Sequence, residues 1–138
     1  MIRPELNHVG IVVPALEPAL EDLTTQLGFE FAIVFDDDLA VHEPPIGNGV
    51  VHLRIAYSAQ RPALEIIEAV PGTPWSPEQR GLHHLAYFVD DLDRDSQRLA
   101  GFCPIEICGL GEDGSVPTTF TYHAGGPFRV ELLSPRLA

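Results

Sequence analysis

The sequence predicts an α+β fold built from two β-α-β-β-β modules, and two internal echoes lead to this prediction. The segment HVGIVV at 8–13 resembles HLAYFV at 84–89. Further along each half, ALEII at 63–67 resembles RVELL at 129–133. Landmarks that recur in the same order along a chain indicate a repeated structural unit.

The elements of each module follow from local patterns. Alternating apolar side chains at 8–13 and 84–89 predict strands, and amphipathic stretches follow at 15–27 and 92–100. Each stretch ends in Gly-Phe, where a glycine in the left-handed conformation can close a helix. Three further strands complete each module.

A proline-rich joint divides the chain into modules at about 6–70 and 82–135. It spans 71–81 and begins PGTPWSP, whose three prolines exclude a regular helix or a central strand. Both modules are predicted to form one domain over residues 1–138, because a chain of this length supports one compact domain.

Composition restricts the class of protein. The chain has 138 residues, is 45% hydrophobic and 20% charged, and has a formal net charge of −12. This charge opposes nucleic-acid binding, which needs a basic surface. No apolar run is long enough to span a membrane, and the opening residues lack an apolar signal-peptide region. Two cysteines are too few for a secreted disulfide-rich scaffold. Together, these observations predict an acidic cytoplasmic domain that binds neither nucleic acid nor membrane.

Strand alternation predicts which side chains share the face away from the helices. In the first strand of each module, His8 and His84 fall on that face, and in the last strand Glu65 and Glu131 do. The third strand of the first module is expected to place Val51, Leu53, Ile55 and Tyr57 towards the helix. We therefore expect a cleft wall with four substrate-binding candidates: His52, Arg54 and, at repeat-equivalent or neighbouring positions of the second module, Phe120 and Tyr122.

The paired histidines and glutamates predict a metal site. Equivalent positions of two related modules bring one imidazole and one carboxylate from each half to a shared axis. Two imidazoles and two carboxylates suit one divalent cation such as Zn²⁺, Ni²⁺, Co²⁺, Fe²⁺ or Mn²⁺. One or two coordination positions are left for water or substrate, as a catalytic site requires.

These motifs resemble the vicinal oxygen chelate superfamily, which includes glyoxalase I, methylmalonyl-CoA epimerase, extradiol dioxygenases and antibiotic-binding resistance proteins. The resemblance covers about residues 6–135. It implies a glyoxalase-like fold, in which paired βαβββ modules form a cup-shaped half-barrel around a metal. GLHHLAYFVDDL at 81–92 and LNHVGIVV at 6–13 are similar to the epimerase branch.

By this resemblance, His8, Glu65, His84 and Glu131 are the metal ligands, and Glu131 is the catalytic base that detaches from the metal. Two departures from the epimerases stand out. The epimerases usually carry a glutamate that acts as a base just before the glycine at 49, where this chain has PIGN at 45–48. They also usually have glutamine where Glu65 stands, whereas bacterial glyoxalase I has glutamate. His52 and Glu43 are the candidate replacements for the missing base.

The leading functional hypothesis is a metal-dependent isomerase or lyase that removes a proton next to a carbonyl, with an acyl-CoA or another carbonyl compound as substrate. Three alternatives remain open: a glyoxalase I-type lactoylglutathione lyase, a single-domain extradiol-type dioxygenase with His52 as its acid-base histidine, and a non-catalytic protein that binds an antibiotic or metabolite. The resemblance also implies a homodimer.

Overall fold

The computed structural model describes residues 5–135. The interpretation of the opening residues as lacking an apolar leader rests in part on residues 1–4, which lie outside this range. Within it, the elements follow in order: β1 (Leu6–Val13), α1 (Leu16–Leu27), β2 (Phe31–Glu43), β3 (Gly47–Ser58), β4 (Ala63–Glu68), a single 3-10 turn (Pro77–Gln79), β5 (Gly81–Phe88), α2 (Leu92–Ala100), β6 (Ile105–Gly109), β7 (Thr118–His123) and β8 (Val130–Leu133).

The eight strands form one closed sheet in the order β1-β4-β3-β2-β6-β7-β8-β5. β1 pairs in parallel with β4, and β5 pairs in parallel with β8. The two halves meet where β1 lies antiparallel to β5 and where β2 lies antiparallel to β6. The prediction of a mixed α+β fold whose sheet curves into a cup is therefore confirmed, and the sheet closes fully.

The sequence β-α-β-β-β occurs twice along the chain, as β1-α1-β2-β3-β4 and as β5-α2-β6-β7-β8. Strand order within the sheet is the same in both runs, so each first strand lies beside its own last strand. The division into modules at 6–70 and 82–135, joined by a linker at 71–81, stays a prediction about domain organisation.

The two helices end differently, although both are followed by Gly-Phe. Gly28 takes the left-handed conformation with φ of 79° and donates its N–H to the carbonyl of Thr24, as predicted. Gly101 keeps right-handed helical angles, with φ of −66°, so the prediction of a left-handed cap is wrong there. The chain instead tightens into a last turn, in which the N–H groups of Phe102 and Cys103 both reach the carbonyl of Leu99.

Two hydrophobic clusters stabilise the sheet from opposite sides. On the outer side, Leu16 of α1 packs on Ala56 and Ile66. The inner cluster fills part of the cup and includes Val12, Leu53, Ile67, Trp75, Ala86, Ile107, Phe120, Tyr122 and Leu133. Neither helix in the described range is long and apolar enough to cross a membrane.

Candidate metal centre

Four polar side chains from four strands meet inside the cup. His8 lies on β1, Glu65 on β4, His84 on β5 and Glu131 on β8, and these strands are neighbours around the junction of the two halves. All four side chains are buried: the histidines are at most 1% exposed and the glutamates 6%. Their four potential ligand atoms lie within 4.8 Å of one another.

The separations within this cluster are short and similar. Nε2 of His8 lies 3.1 Å from Nε2 of His84. Oε1 of Glu131 lies 3.0 Å from each of these nitrogens. Oε1 of Glu65 lies 3.3 Å from Nε2 of His8 and 3.0 Å from Nε2 of His84. Two ligand atoms about 2.1 Å from a cation, at right angles to one another, lie about 3.0 Å apart, so these separations match those around one cation.

Hydrogen bonds behind each imidazole determine which ring nitrogen faces the centre. Nδ1 of His8 donates to Oδ1 of Asn7 at 2.8 Å, which leaves Nε2 with a lone pair. Nε2 of His83 donates to the carbonyl of Pro74 at 2.8 Å, so its Nδ1 accepts the N–H of Nδ1 of His84 at 2.9 Å. Nε2 of His84 is therefore left with a lone pair as well. This assignment follows from the hydrogen-bond network.

Electrostatics at the centre favour positive charge. Burial lowers the pKa of His8, but the carboxylates of Glu65 and Glu131 outweigh it and raise that pKa to about 10. The same balance raises the pKa of His84. Burial raises the pKa of Glu65, but the two imidazoles bring it well below its usual range. Protons or a metal ion can supply the charge that these groups attract.

One buried atom tests directly whether a cation fits. Oε1 of Glu65 accepts no hydrogen bond from any residue in the described range, although it lies within 3.3 Å of both imidazole Nε2 atoms. A buried carboxylate oxygen without a donor is unfavourable by about 1–3 kcal/mol or more. The donor set of two nitrogens and two carboxylate oxygens, with lone pairs directed at one point, therefore fits a divalent cation.

Glu65 is also held from behind. The hydroxyl of Tyr57 on β3 donates to Oε2 of Glu65 at 3.0 Å. Burial and the nearby Glu65 carboxylate raise the pKa of Tyr57 far above its usual value, so the phenol stays protonated and remains a donor. Sequence analysis missed this contact, because it placed Tyr57 on the helix side of the strand.

A cavity of about 1090 Å³ adjoins the four side chains and fills the rest of the cup. Glu65 and Glu131 reach its surface, and Asn7 and Tyr57 also line it. Most of its wall is apolar and is formed by residues that include Val34, Phe35, Leu39, Leu53, Ile55, Trp75, Phe88, Phe120 and Leu133. This volume is slightly above the usual range of small-molecule sites in proteins.

Two predicted substrate-binding residues lie elsewhere, and their assignment to the cleft is corrected. His52 lies on the exposed outer face of the sheet, where its Nδ1 is hydrogen-bonded to Oδ1 of Asp38 at 2.8 Å and its Nε2 to Oδ1 of Asp36 at 2.9 Å. Arg54 is bonded to Glu17 of α1 and to Asp36. Neither residue lines the cavity. Their place on the wall is taken by Leu53, Ile55 and Tyr57, so the predicted facing of β3 is inverted.

A difference in connection length kept the repeat alignment from revealing this inversion. Tyr57 stands opposite Glu65 in the β3–β4 pair, and Tyr122 stands opposite Glu131 in the β7–β8 pair. The connection from β7 to β8 is thus one residue longer than the connection from β3 to β4. An alignment anchored on the glutamates shifts β3 by one residue, and such a shift moves every side chain to the other face.

The two remaining candidates do line the cavity. Phe120 and Tyr122 lie on its wall, and their rings contact each other at 5.2 Å between centroids. Tyr122 also packs on the ring of His84 at 4.8 Å, and its hydroxyl accepts the indole N–H of Trp75 at 3.0 Å. The proline-rich joint thus contributes a buried aromatic residue to the site.

Neither of the two predicted replacements for the missing base lies on the cavity wall. Glu43 ends β2 at the hairpin, away from the cavity, and His52 is on the outer face. The dioxygenase hypothesis relied on His52 as an acid-base group, so the structure removes its support. Within the described residues, the only other carboxylate that lines the cavity, besides those of Glu65 and Glu131, is that of Glu5.

Comparison with known proteins gives one family and a consistent set of structures. Residues 7–103 match the family model of the glyoxalase/bleomycin resistance protein/dioxygenase superfamily. A comparison with curated proteins finds no match. Methylmalonyl-CoA epimerase from Mycobacterium tuberculosis superposes with a TM-score of 0.58 at 21% identity, covering 99% of this chain and 95% of that one.

Two further solved structures have the same fold. A Streptomyces coelicolor methylmalonyl-CoA epimerase variant in complex with 2-nitronate-propionyl-CoA gives a TM-score of 0.63 at 16% identity, with 97% and 98% of the two chains covered. A hypothetical protein from Bacillus halodurans C-125 gives 0.60 at 18% identity, with 94% and 93% covered. At these identities, the likeness concerns the fold.

Proposed function

The chain belongs to the glyoxalase/bleomycin resistance protein/dioxygenase superfamily, and on that premise we propose that it is a metal-dependent isomerase or lyase that removes a proton next to a carbonyl group. The observation that carries the proposal is the convergence of two imidazole nitrogens and two carboxylate oxygens on one point beside a large cavity. An epimerase-like reaction is the form that the structural neighbours favour.

A divalent cation bound by His8, Glu65, His84 and Glu131 would supply Lewis-acid stabilisation of the negative charge that develops on a substrate oxygen. The protein supplies the remaining parts. The two histidines are buried and are fixed by the hydrogen bonds behind them. Zn²⁺, Ni²⁺, Co²⁺, Fe²⁺ and Mn²⁺ all suit this donor set.

Glu131 is the proposed catalytic base. Its carboxylate borders the cavity, and within residues 5–135 its close polar neighbours are the Nε2 atoms of the two central imidazoles, with no hydroxyl behind it. Glu65, in contrast, is held by Tyr57 from behind. The carboxylate of Glu131 is thus the freer of the two to turn towards substrate. It would take the proton when the C–H bond breaks, and the electron pair of that bond would move onto the carbonyl oxygen.

The proton can return from Glu131 to the same or a neighbouring atom of the substrate. Racemisation by two opposed bases needs a second group across the cavity, and neither His52 nor Glu43 is there. Tyr57 is a poor proton donor because its pKa is raised. Glu5 is the only further carboxylate on the wall among the described residues, and it is exposed, so a one-base isomerisation or lyase reaction fits the wall better than a two-base racemisation.

Elemental analysis of the purified protein tests the centre. We expect about one equivalent of metal in the native protein and its loss in His84→Ala and Glu131→Gln. Glu106→Gln is the matched control, because Glu106 pairs with Arg129 away from the centre. Full metal retention in both centre variants would contradict the proposed ligand set.

Proton exchange tests the chemistry. Metal-loaded protein in D₂O is incubated with methylmalonyl-CoA, with the hemithioacetal of glutathione and methylglyoxal, and with benzoin, and the α-proton is followed by NMR. We expect exchange with at least one carbonyl class in the native protein and in Glu106→Gln, but not in Glu131→Gln. Absence of exchange with all three probes would refute proton abstraction and favour a non-catalytic binding protein.

Two finer expectations belong with this proposal. The homodimer implied by the family resemblance is supported by exposed apolar side chains, among them Phe102 at 82% and Ile46 at 80% exposure. Light scattering at several concentrations would distinguish a dimer from a monomer. A cytoplasmic location is proposed from composition, and fractionation of cells that produce the full-length protein tests it.

A further inference from the structure

The cavity beside the centre has few cationic side chains. The sequence contains eight Lys and Arg residues, all of which are arginine, against twenty Asp and Glu residues. Within residues 5–135, Arg61 is the only cation among the residues that line the cavity. Arg54 is bonded to Glu17 and Arg129 to Glu106, so these two guanidinium groups are already neutralised.

A coenzyme A thioester would place several phosphate charges at this mouth. Recognition of phosphate relies on arginine, lysine or helix N-termini. Arg61 supplies one positive charge at the cavity, whereas the chain as a whole has a net charge of −12 and repels polyanions at long range. The wall favours an apolar ligand, because it presents the apolar and aromatic side chains of Leu39, Leu53, Phe88 and Phe120.

We propose that the substrate is an apolar, preferably aromatic, carbonyl compound without phosphate groups, whose carbonyl oxygen reaches the centre while its body lies on the wall of the cup. This proposal rests on the proposed function for the four-residue centre and deepens it by naming the substrate class. This substrate class differs from the 2-nitronate-propionyl-CoA bound by the Streptomyces coelicolor epimerase.

Trp75 makes the test direct. It is the chain's single tryptophan, it is 1% exposed, and it lines the cavity. The Zn²⁺-loaded protein is titrated with benzoin, a neutral aromatic hydroxyketone, and separately with propionyl-CoA. Indole emission reports the occupied site, and calorimetry gives the dissociation constants.

We expect benzoin to bind at least about tenfold more tightly than propionyl-CoA, with little dependence on salt. Tighter binding of propionyl-CoA, weakened by salt, would overturn the proposal, and so would the absence of any benzoin binding. The same titration after chelation separates the two proposals. Benzoin binding that survives without metal supports the apolar wall even if the metal-dependent reaction fails.

Variants of β3 locate the binding surface. Leu53→Ser places a hydroxyl on the wall and should weaken benzoin binding about tenfold or more. Val50→Ser is the matched control on the same strand, because Val50 is 66% exposed and outside the cavity wall. Circular dichroism checks that both variants fold. The comparison of the two ligands on the native protein stands without either variant.

A different observation concerns the residues just before the two central histidines. The β1–β5 register shifts twice: Asn7 is an extra residue between Leu6 and His8, and His83 is an extra residue between His84 and Leu82. Each extra residue forms a β-bulge, which redirects a side chain within a strand. In both halves, the bulged residue accepts the Nδ1–H of the histidine that follows it.

We infer that Asn7 and His83 are paired positioning residues for the centre, an inference that also rests on the proposed metal site. Each keeps Nε2 of its histidine unprotonated and aimed inward, a role for which outer hydrogen-bond partners are worth about 10–100-fold in metal affinity. The bulges are what allow a residue adjacent to a buried histidine to reach that histidine's ring.

Zinc affinity by chelator competition tests this inference. Asn7→Leu and His83→Phe remove the acceptor and should weaken binding about 10–100-fold. Asn7→Asp keeps an acceptor oxygen and should restore native affinity, which a purely structural role would not explain. In Zn²⁺-loaded native protein, long-range ¹H–¹⁵N NMR should show Nδ1–H on both histidines. Unchanged affinity in Asn7→Leu and His83→Phe would refute the inference.

Discussion

Gly10 offers a sharp test of the centre, because its missing side chain is what makes room for His84. A Cβ built at Gly10 would lie 2.0 Å from Cε1 and 2.4 Å from Nε2 of the His84 ring. Ordinary contacts begin at 3.4 Å, so in Gly10→Ala the imidazole must move by about 1.4 Å. Metal–ligand bonds tolerate about 0.2 Å. The variant should therefore lose one of its four ligands.

The magnitude follows from this displacement. Zinc affinity should fall at least about 100-fold, or about 2.7 kcal/mol, because a ligand lost outright exceeds the effect of a lost outer hydrogen bond. Overpacking should destabilise the fold by a further 1–3 kcal/mol, roughly. Calorimetry with Zn²⁺ and thermal unfolding of the metal-free protein measure the two effects separately.

Gly49→Ala is the matched control, since a Cβ there meets nothing within 4 Å and no left-handed backbone is involved. It should retain native zinc affinity. If Gly10→Ala bound zinc as tightly as Gly49→Ala, the position of His84 in the centre would be refuted.

Three further predictions concern other parts of the molecule. Burial lowers the pKa of His123, so below about pH 6.5 the unfolded chain binds this proton more readily, and the contribution of His123 to stability should fall from about pH 7 to pH 5. Urea unfolding should show a smaller pH dependence in His123→Gln, and an unchanged dependence would contradict this. Tyr57→Phe removes the donor to Glu65 and should weaken zinc binding about tenfold by chelator competition, whereas Tyr87→Phe should not. Leu16→Ala should destabilise the fold by about 2–5 kcal/mol in the same unfolding assay, while metal content by elemental analysis stays native.

Sequence analysis brought the four buried side chains together because they occupy equivalent points of a repeat. A histidine near the start of each first strand and a glutamate in each last strand suffice to place all four side chains together once the strands pair. The helices were also found within a residue or two, since their amphipathic spacing is local. Gly101 shows the limit of such local rules, because sequence alone does not distinguish a left-handed cap from a tightened last turn.

The wall of the cup was harder to predict, for a physical reason. Alternation in β3 separates Leu53 and Tyr57 from His52 and Arg54, but it does not say which set faces inward. A polar lining is the natural expectation for a cleft, whereas this cavity is apolar. Because the connection between β7 and β8 has one extra residue, the repeat alignment matched β3 to β7 one position out of register. Comparison of the two halves therefore did not reveal the wrong facing of β3.

Asn7 and His83 could not have been found from periodicity, because a bulge breaks the periodicity by which faces are assigned. The signal that was present is modest: in both halves, a residue with a hydrogen-bond acceptor comes directly before the central histidine. The strand register and the hydrogen bonds of the structure show that each acceptor contacts the imidazole ring of the histidine that follows it.

Closure of the sheet has a consequence for biosynthesis. A ribosome releases β1 to β4 first, and the lateral strands of that half, β1 and β2, gain their outer partners only when β5 and β6 emerge. Until then, bare backbone N–H and carbonyl groups on both flanks can recruit other nascent chains. We therefore expect a fragment truncated after β4 to aggregate more readily than the whole chain.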